Sequence, residues 1–124
     1  MRFEKFTNRL QQSLSDAQSL AMRRDHTAID TIHLLATLLD ESSNLSLLQQ
    51  AGSHLQQLKS ALNQALTDAA TLSTPSADIN LNPDAVKALT LADSYATKVG
   101  DEFLSTDWLL LALSEVGNTK LLLQ

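Results

Sequence analysis

The chain has no cysteine, so a disulfide, a thiolate metal ligand and a cysteine nucleophile are all excluded. Glycine and proline are confined to Gly52, Gly100, Gly117, Pro75 and Pro83, which leaves long stretches free of helix breakers. No apolar run approaches the roughly 20 residues that cross a bilayer, the longest being Trp108 to Leu113. The opening residues MRFEKFTNRL lack the apolar core and cleavage site of a secretory signal, and with the missing cysteine this fits a cytoplasmic protein. Positive charge is also short: the net charge is −5, and residues 71–124 hold three Lys/Arg against seven Asp/Glu. Nucleic acid and anionic membrane are disfavoured as partners, since both are held largely by basic side chains. A basic partner or exposed backbone amides suit the balance better.

What is present is helical periodicity across a length suited to one domain of 124 residues. Thr7 is a cap for a first helix carrying Leu10, Leu14, Ala17, Leu20 and Ala21 inward and fading near Arg23 to Asp25. Asp30 opens a second helix with Ile32, Leu34, Leu35, Leu38 and Leu39. A third covers Leu45 to Ala51 and stops at Gly52, and Ser53 caps a fourth with Leu55, Leu58, Leu62, Ala65 and Leu66 inward. The segment TLSTPSADINLNP breaks the pattern and reads as a linker over 71–82. Asn82 followed by Pro83 starts the next helix, with Val86, Leu89, Ala92, Tyr95, Ala96 and Val99 expected inward until Gly100. A further helix starts at Ser105.

Shifting the chain on itself by 75 residues aligns Leu14–Gln49 with Leu89–Gln124 without a gap, and 11 of the 36 pairs are identical. Chance in a leucine-rich chain gives roughly three. Thr31/Thr106, Ser19/Ser94 and the alanine pairs Ala17/Ala92 and Ala21/Ala96 are not explained by leucine content. The expected architecture is therefore all-α: two four-helix repeats, about 7–69 and about 83–124, related by a pseudo-twofold axis. The second copy reads as truncated before its own last helix. The phrases AIDTIHLLATL and FLSTDWLLLAL are the same helix start twice, with Asp30 and Ser105 as matching caps and a Leu-Leu pair directed into the core.

Three passages, MRFEKFTNRLQQSLSDAQSL, IDTIHLLATLL and KVGDEFLSTDWLLLAL, together resemble the double Clp repeat at the N-terminus of AAA+ unfoldases. MRFEKFTN and DAQSLA are more similar to the ClpB-type disaggregase branch than to the ClpA, ClpC or type VI secretion branches. The resemblance covers essentially the whole chain. It implies a mobile N-terminal domain, monomeric in isolation, attached to ATPase rings that assemble as a homohexamer, use ATP and magnesium, and thread aggregated polypeptide through a pore with the DnaK system. No glycine here begins the G-x-x-x-x-G-K-[ST] spacing that wraps phosphate, so no AAA+ module lies within these residues and no cofactor is expected in them.

The resemblance further implies a substrate groove between the repeats, apolar with a polar edge. The matching positions are Thr7, Leu89, Leu91, Asp101, Asp107 and Trp108. A glutamate is more usual where Asp107 stands, and an aliphatic residue where Trp108 stands. Each residue also has a plain structural reading. Thr7 is a good N-cap, Asp107 sits where a carboxylate favours the helix dipole, and Asp101 suits the turn after Gly100. Leu89 and Leu91 point about 200° apart on a helix, so only one can face the core, and Leu91 is the better candidate for accessible surface. Trp108 stands at the position of His33 in the repeat and is large enough to serve a groove, the core or both. His26, His33 and His54 show no H-E-x-x-H or comparable ligand spacing, and no serine lies in G-x-S-x-G. The acid pairs Asp40/Glu41 and Asp101/Glu102 fall at helix ends, where solvation accounts for them. Catalytic residues and a metal site are therefore not expected. Weak capture of unfolded polypeptide is one function class this supports; docking of a folded adaptor, as in the ClpA and ClpC branches, is the alternative.

Overall fold

The structure is a computed structural model that describes residues 3–52, 54–74 and 79–123. A 3₁₀ turn at Phe3–Lys5 precedes seven helices: α1 (Asn8–Arg23), α2 (Thr31–Leu38), α3 (Ser42–Gln50), α4 (Leu55–Asp68), α5 (Pro83–Lys98), α6 (Thr106–Leu113) and α7 (Gly117–Leu122). The 75-residue shift carries α1 onto α5 and α2 onto α6 end for end, and carries the first residue of α3 onto the first residue of α7. Among the described residues, α4 has no counterpart in the second copy.

The local signals that start and stop these helices are repeated too. Thr7 Oγ1 accepts from Leu10 N at 3.2 Å, and its counterpart Asn82 accepts from Ala85 N at 2.9 Å, so both long helices open on a side-chain cap. Both close on the same hydrogen-bond pair. His26 N and Asp25 N donate to Ala21 O and Met22 O at 2.9 and 3.1 Å, and Asp101 N and Gly100 N donate to Ala96 O and Thr97 O at the same two distances. This closure needs a left-handed residue, supplied by Gly100 at φ +81° and by Asp25 at φ +55°.

The pseudo-twofold is most direct in two isolated parallel bridges, Phe6 with Leu104 and Ile29 with Leu81. Thr7 N donates to Leu104 O at 3.0 Å and Leu104 N to Lys5 O at 2.7 Å. Exchanging the copies gives Asn82 N to Ile29 O and Ile29 N to Asn80 O, both present at 2.9 Å. The residues before each long helix thus pair with the residues before the other copy's short helix, and the backbone groups between helices are satisfied across the repeat boundary. Periodicity carries no signal for such single-bridge pairings.

The short helices form the centre. α2 buries six of its eight residues and contacts α1, α4, α5, α6 and α7, while α6 buries five of eight. At about 2 kcal/mol for each fully buried leucine, Leu34, Leu35, Leu38, Leu109 and Leu113 make this pair the main apolar contribution to stability.

Several sequence expectations are corrected. α3 starts at Ser42, three residues before Leu45, because Glu41 O accepts from Asn44 N and Leu45 N at 3.1 and 3.2 Å and already begins the helical ladder. Val86 and Val99 are 41% and 62% exposed, not inward. The inward arc of α5 is filled by Ala85, Ala88, Leu89, Ala92 and Ala96; Val86 falls outside it, and Val99 is already the C-cap. Ser105 occupies the N-cap position of α6 but makes no capping bond with its side chain. The cap predicted at Ser53 and the linker residues 75–78 lie outside the described residues.

Candidate functional site

The predicted site gathers around the first turn of α6. The Ser105 hydroxyl donates to the Asp107 carboxylate, and Asp107 Oδ1 also accepts from Trp108 N at 2.9 Å. Asp107 is therefore a carboxylate held against the free amides of the helix start, where the dipole favours it. Trp108 is half-buried, and its Nε1 donates to Asp101 Oδ2 at 2.7 Å. That bond fixes the indole beside Tyr95, with ring centroids 6.3 Å apart and planes tilted by 42°. Leu91, also half-buried, lies one helical turn before Tyr95 on α5. Thr7 joins the cluster through the backbone, since its N–H reaches the carbonyl of Leu104, just ahead of Ser105. Lys5 Nζ meets Asp93 Oδ1 at 3.2 Å and ties the N-terminal turn to the same helix.

Five of the six predicted site residues, Thr7, Leu91, Asp101, Asp107 and Trp108, are thus linked through shared neighbours. Leu89 is not among them. It is fully buried in the core, so its assignment to a contact surface is withdrawn; the 200° separation from Leu91 sends one leucine in and leaves the other partly accessible.

The sequence reading missed several participants. Tyr95 belonged by spacing to the inward stripe, yet it stands at the edge and meets Trp108. Phe103 and Leu111 are 56% and 47% exposed beside the same turn. Leu111 lies on the outward arc of α6, between Asp107 and Trp108. Beside Asp107 a hollow of about 550 Å³ opens between α3 and α6, lined by Glu41, Asn44, Leu47 and Thr106 among others. Glu41 organises its floor: Oε2 accepts from Thr106 Oγ1 at 2.8 Å and from Asn44 Nδ2 at 2.9 Å, and Oε1 lies 3.4 Å from Arg9 Nε. Asn44 gives its other amide proton to Leu38 O at 3.1 Å, which leaves the buried Oδ1 without a hydrogen-bond partner. Its counterpart Thr119 makes the matching bond to Leu113 O at 2.7 Å with a hydroxyl and strands nothing.

The equivalent region of the first copy is built differently. A hollow of about 490 Å³ is lined there by His26, Asp30, Ile32 and His33, with α4 contributing Ala65 and Asp68 and its C-cap Ala69. His33 Nδ1 accepts from Asp30 N at 2.8 Å, completing a capping box with the Asp30 carboxylate. A ring nitrogen that accepts an amide proton carries none, so neutral His33 is protonated on Nε2 and donates to His26 Nδ1 at 2.7 Å. Burial, reinforced by the neighbouring His26, lowers the His33 pKa to about 4. The histidines are parts of a folded junction. Among the described residues, no group of three or more His, Cys, Asp or Glu could hold a metal ion, and no helix is long and apolar enough to cross a membrane.

With this geometry in place, comparison with known proteins is direct. Residues 5–124 match the Clp repeat (R) N-terminal domain family. The chaperone protein ClpB of Dichelobacter nodosus is 38% identical over 112 residues, covering 89% of this chain and 13% of that protein. ClpB of Pseudomonas putida is 38% identical over 123 residues, covering 98% and 14%. The chain thus spans about one seventh of the length of these relatives. The crystal structure of the Hsp104 N-terminal domain from Candida albicans superposes with a TM-score of 0.88 at 22% identity, over 95% of this chain and 79% of that one, a likeness of fold. Both the seven-helix architecture and the sequence match place this chain in the Clp repeat N-terminal domain family, as an N-domain of the Clp chaperone type.

Proposed function

We propose that this chain is the substrate-receiving N-terminal domain of a ClpB-type disaggregase, holding unfolded or aggregated polypeptide weakly and passing it to an ATPase ring. The observation that carries this reading is the partly open strip Leu91, Tyr95, Trp108 and Leu111, edged by the carboxylates of Asp101 and Asp107. An apolar strip accepts side chains that a folded protein hides, and a carboxylate edge favours the basic residues that flank them. Binding is weak because the strip is shallow and the ligand must be ordered on it. In the same reading the nucleotide, the magnesium, the hexamer contacts and the DnaK partnership belong to the longer protein, and the present residues contribute capture alone.

The test is a titration of the fluorescently labelled domain with one protein in its unfolded and its folded form. A response to the unfolded form alone is expected, weakened by Leu91→Ala with the thermal melt nearly unchanged. Equal responses, or none, refute the reading; a stoichiometric response to a folded partner alone supports adaptor docking instead.

A further inference from the structure

One side-chain bond stands at the same place in both copies with different chemistry. Each long helix closes on a left-handed residue, Asp25 in the first copy and Gly100 in the second, and the next residue, His26 or Asp101, carries its side chain on that closed turn. Opposite it stands the third residue of the short helix, His33 or Trp108. His33 Nε2 donates to His26 Nδ1 at 2.7 Å, and Trp108 Nε1 donates to Asp101 Oδ2 at 2.7 Å. The 75-residue shift carries one bond onto the other, so a ring N–H on the short helix, braced by the turn after the long helix, is one feature built twice. The copies differ in its exposure. His26 and His33 are 3% and 1% exposed, whereas Trp108 is half-buried and Asp101 is exposed. In the first copy the brace belongs to the core. In the second it holds a partly open indole beside the ring of Tyr95, with centroids 6.3 Å apart.

We infer that Asp101 is a positioning residue for capture: it acts on the polypeptide through Trp108, fixing the indole beside Tyr95 so that the ring pair is set before a ligand arrives. The inference rests on the capture reading and gives its two acids different tasks. Asp101 is occupied by the ring through Oδ2, while Asp107 is occupied through Oδ1 by the Ser105 hydroxyl and by Trp108 N, and so anchors the backbone under the same ring. An indole turns about two side-chain bonds. Holding it in advance removes an ordering cost otherwise met on binding, which amounts to about twofold to tenfold in affinity. The carboxylate makes the bond charge-assisted, and its 2.7 Å length fits that class. Because the bond lies at the surface, water replaces the carboxylate when it is removed, and the fold loses little. A brace that adds little to stability yet fixes the largest ring of the strip has its effect on the ligand.

The chain has a single tryptophan, so the ring is read directly from one indole Nε1–H resonance of the isotope-labelled protein. The binding probe is reduced, carboxymethylated α-lactalbumin, which stays unfolded in buffer. It is titrated with the natural chain, Asp101→Asn, Asp101→Ala, Trp108→Phe and the double variant Asp101→Ala with Trp108→Phe. Asparagine keeps an oxygen that accepts from Nε1 and removes the charge, whereas alanine removes both. Asp101→Ala is expected to bind about fivefold more weakly than the natural chain and to return the indole resonance to its solvent-exposed position, with the melt nearly unchanged. Asp101→Asn recovers most of the affinity and restores the resonance. Phenylalanine has no N–H to hold, so the double variant binds no more weakly than Trp108→Phe alone. Equal weakening by Asn and Ala means that the ligand reads the charge of Asp101 directly and overturns the inference, as does a further loss in the double variant or an indole resonance indifferent to Asp101→Ala. If the probe binds the natural chain while these comparisons fail, the capture reading stands and this inference falls; if the probe does not bind the natural chain, both fall.

Discussion

Acidification will destabilise this domain in part through one buried residue, His33. In the folded chain its Nδ1 holds the amide of Asp30 and its Nε2–H holds His26, and a proton added to Nδ1 removes the first bond and charges a side chain that is 1% exposed. The folded pKa is about 4, against 6.5 for the free group. Between those values the unfolded chain binds more protons at this position than the folded one, so stability is fully present near pH 7 and falls as pH falls. Linkage over that interval gives a loss of about 2 kcal/mol between pH 7 and 5 and about 3 kcal/mol by pH 4. Carboxylates titrate in the same range, so the measurement is a difference. Urea unfolding at pH 7, 6, 5 and 4 compares the natural chain with His33→Gln, whose amide oxygen can still accept from Asp30 N but does not titrate. The natural chain is expected to lose its advantage over the variant steadily through this window. A constant difference between the two at all four pH values refutes the assignment of His33 as a buried, neutral acceptor.

The two leucines of ALTLAD separate core from surface. Leu89→Ala should cost about 3 kcal/mol in urea unfolding because it opens a cavity at a fully buried site, whereas Leu91→Ala costs under about 1 kcal/mol and acts on polypeptide binding. Gly100→Ala should cost about 1 kcal/mol from backbone conformation alone, since no atom lies within 4 Å of the added methyl group, and Asp25→Gly at the matching φ of +55° should be neutral or slightly stabilising by thermal melt. Glu41→Ala strands the buried Thr106 hydroxyl and one Asn44 proton, and a loss of about 2 kcal/mol is expected; an unchanged midpoint would show that solvent replaces the carboxylate without penalty.

The repeat was readable because it is written in residues with one strong local preference. Caps at Thr7, Asn82 and Asp30, leucine pairs at 34–35 and 109–110, and the break at Gly100 all act within a single turn of helix, and each appears where its spacing put it. What escaped depended on contacts distant in sequence. Nothing near Thr106 announces that its hydroxyl will meet Glu41, 65 residues away, and nothing in the pattern of α5 says that Ala85 and Ala88, rather than Val86 and Val99, will complete the inward arc. The candidate site was drawn through its acids and Trp108, carried by the resemblance. Leu89 came with them because a motif lists neighbours in sequence, while a helix separates them in space.

The two copies differ most, at matched positions, along the edge we propose for capture. Asp16 and Leu20 on α1 and its C-cap Arg24 become Leu91 and Tyr95 on α5 and its C-cap Val99, so two charged residues and a leucine are exchanged for an apolar edge. His33, enclosed with His26 under the end of α4, becomes the half-open Trp108 held by Asp101, and Ile32 becomes Asp107. Each change moves the second copy from a junction sealed by its own fourth helix toward an accessible surface with acidic lips. Transplanting Leu91, Tyr95 and Trp108 back to Asp, Leu and His is therefore expected to remove polypeptide binding with only a modest change in the melt, and retention of binding by that triple variant would place the capture surface elsewhere on the domain.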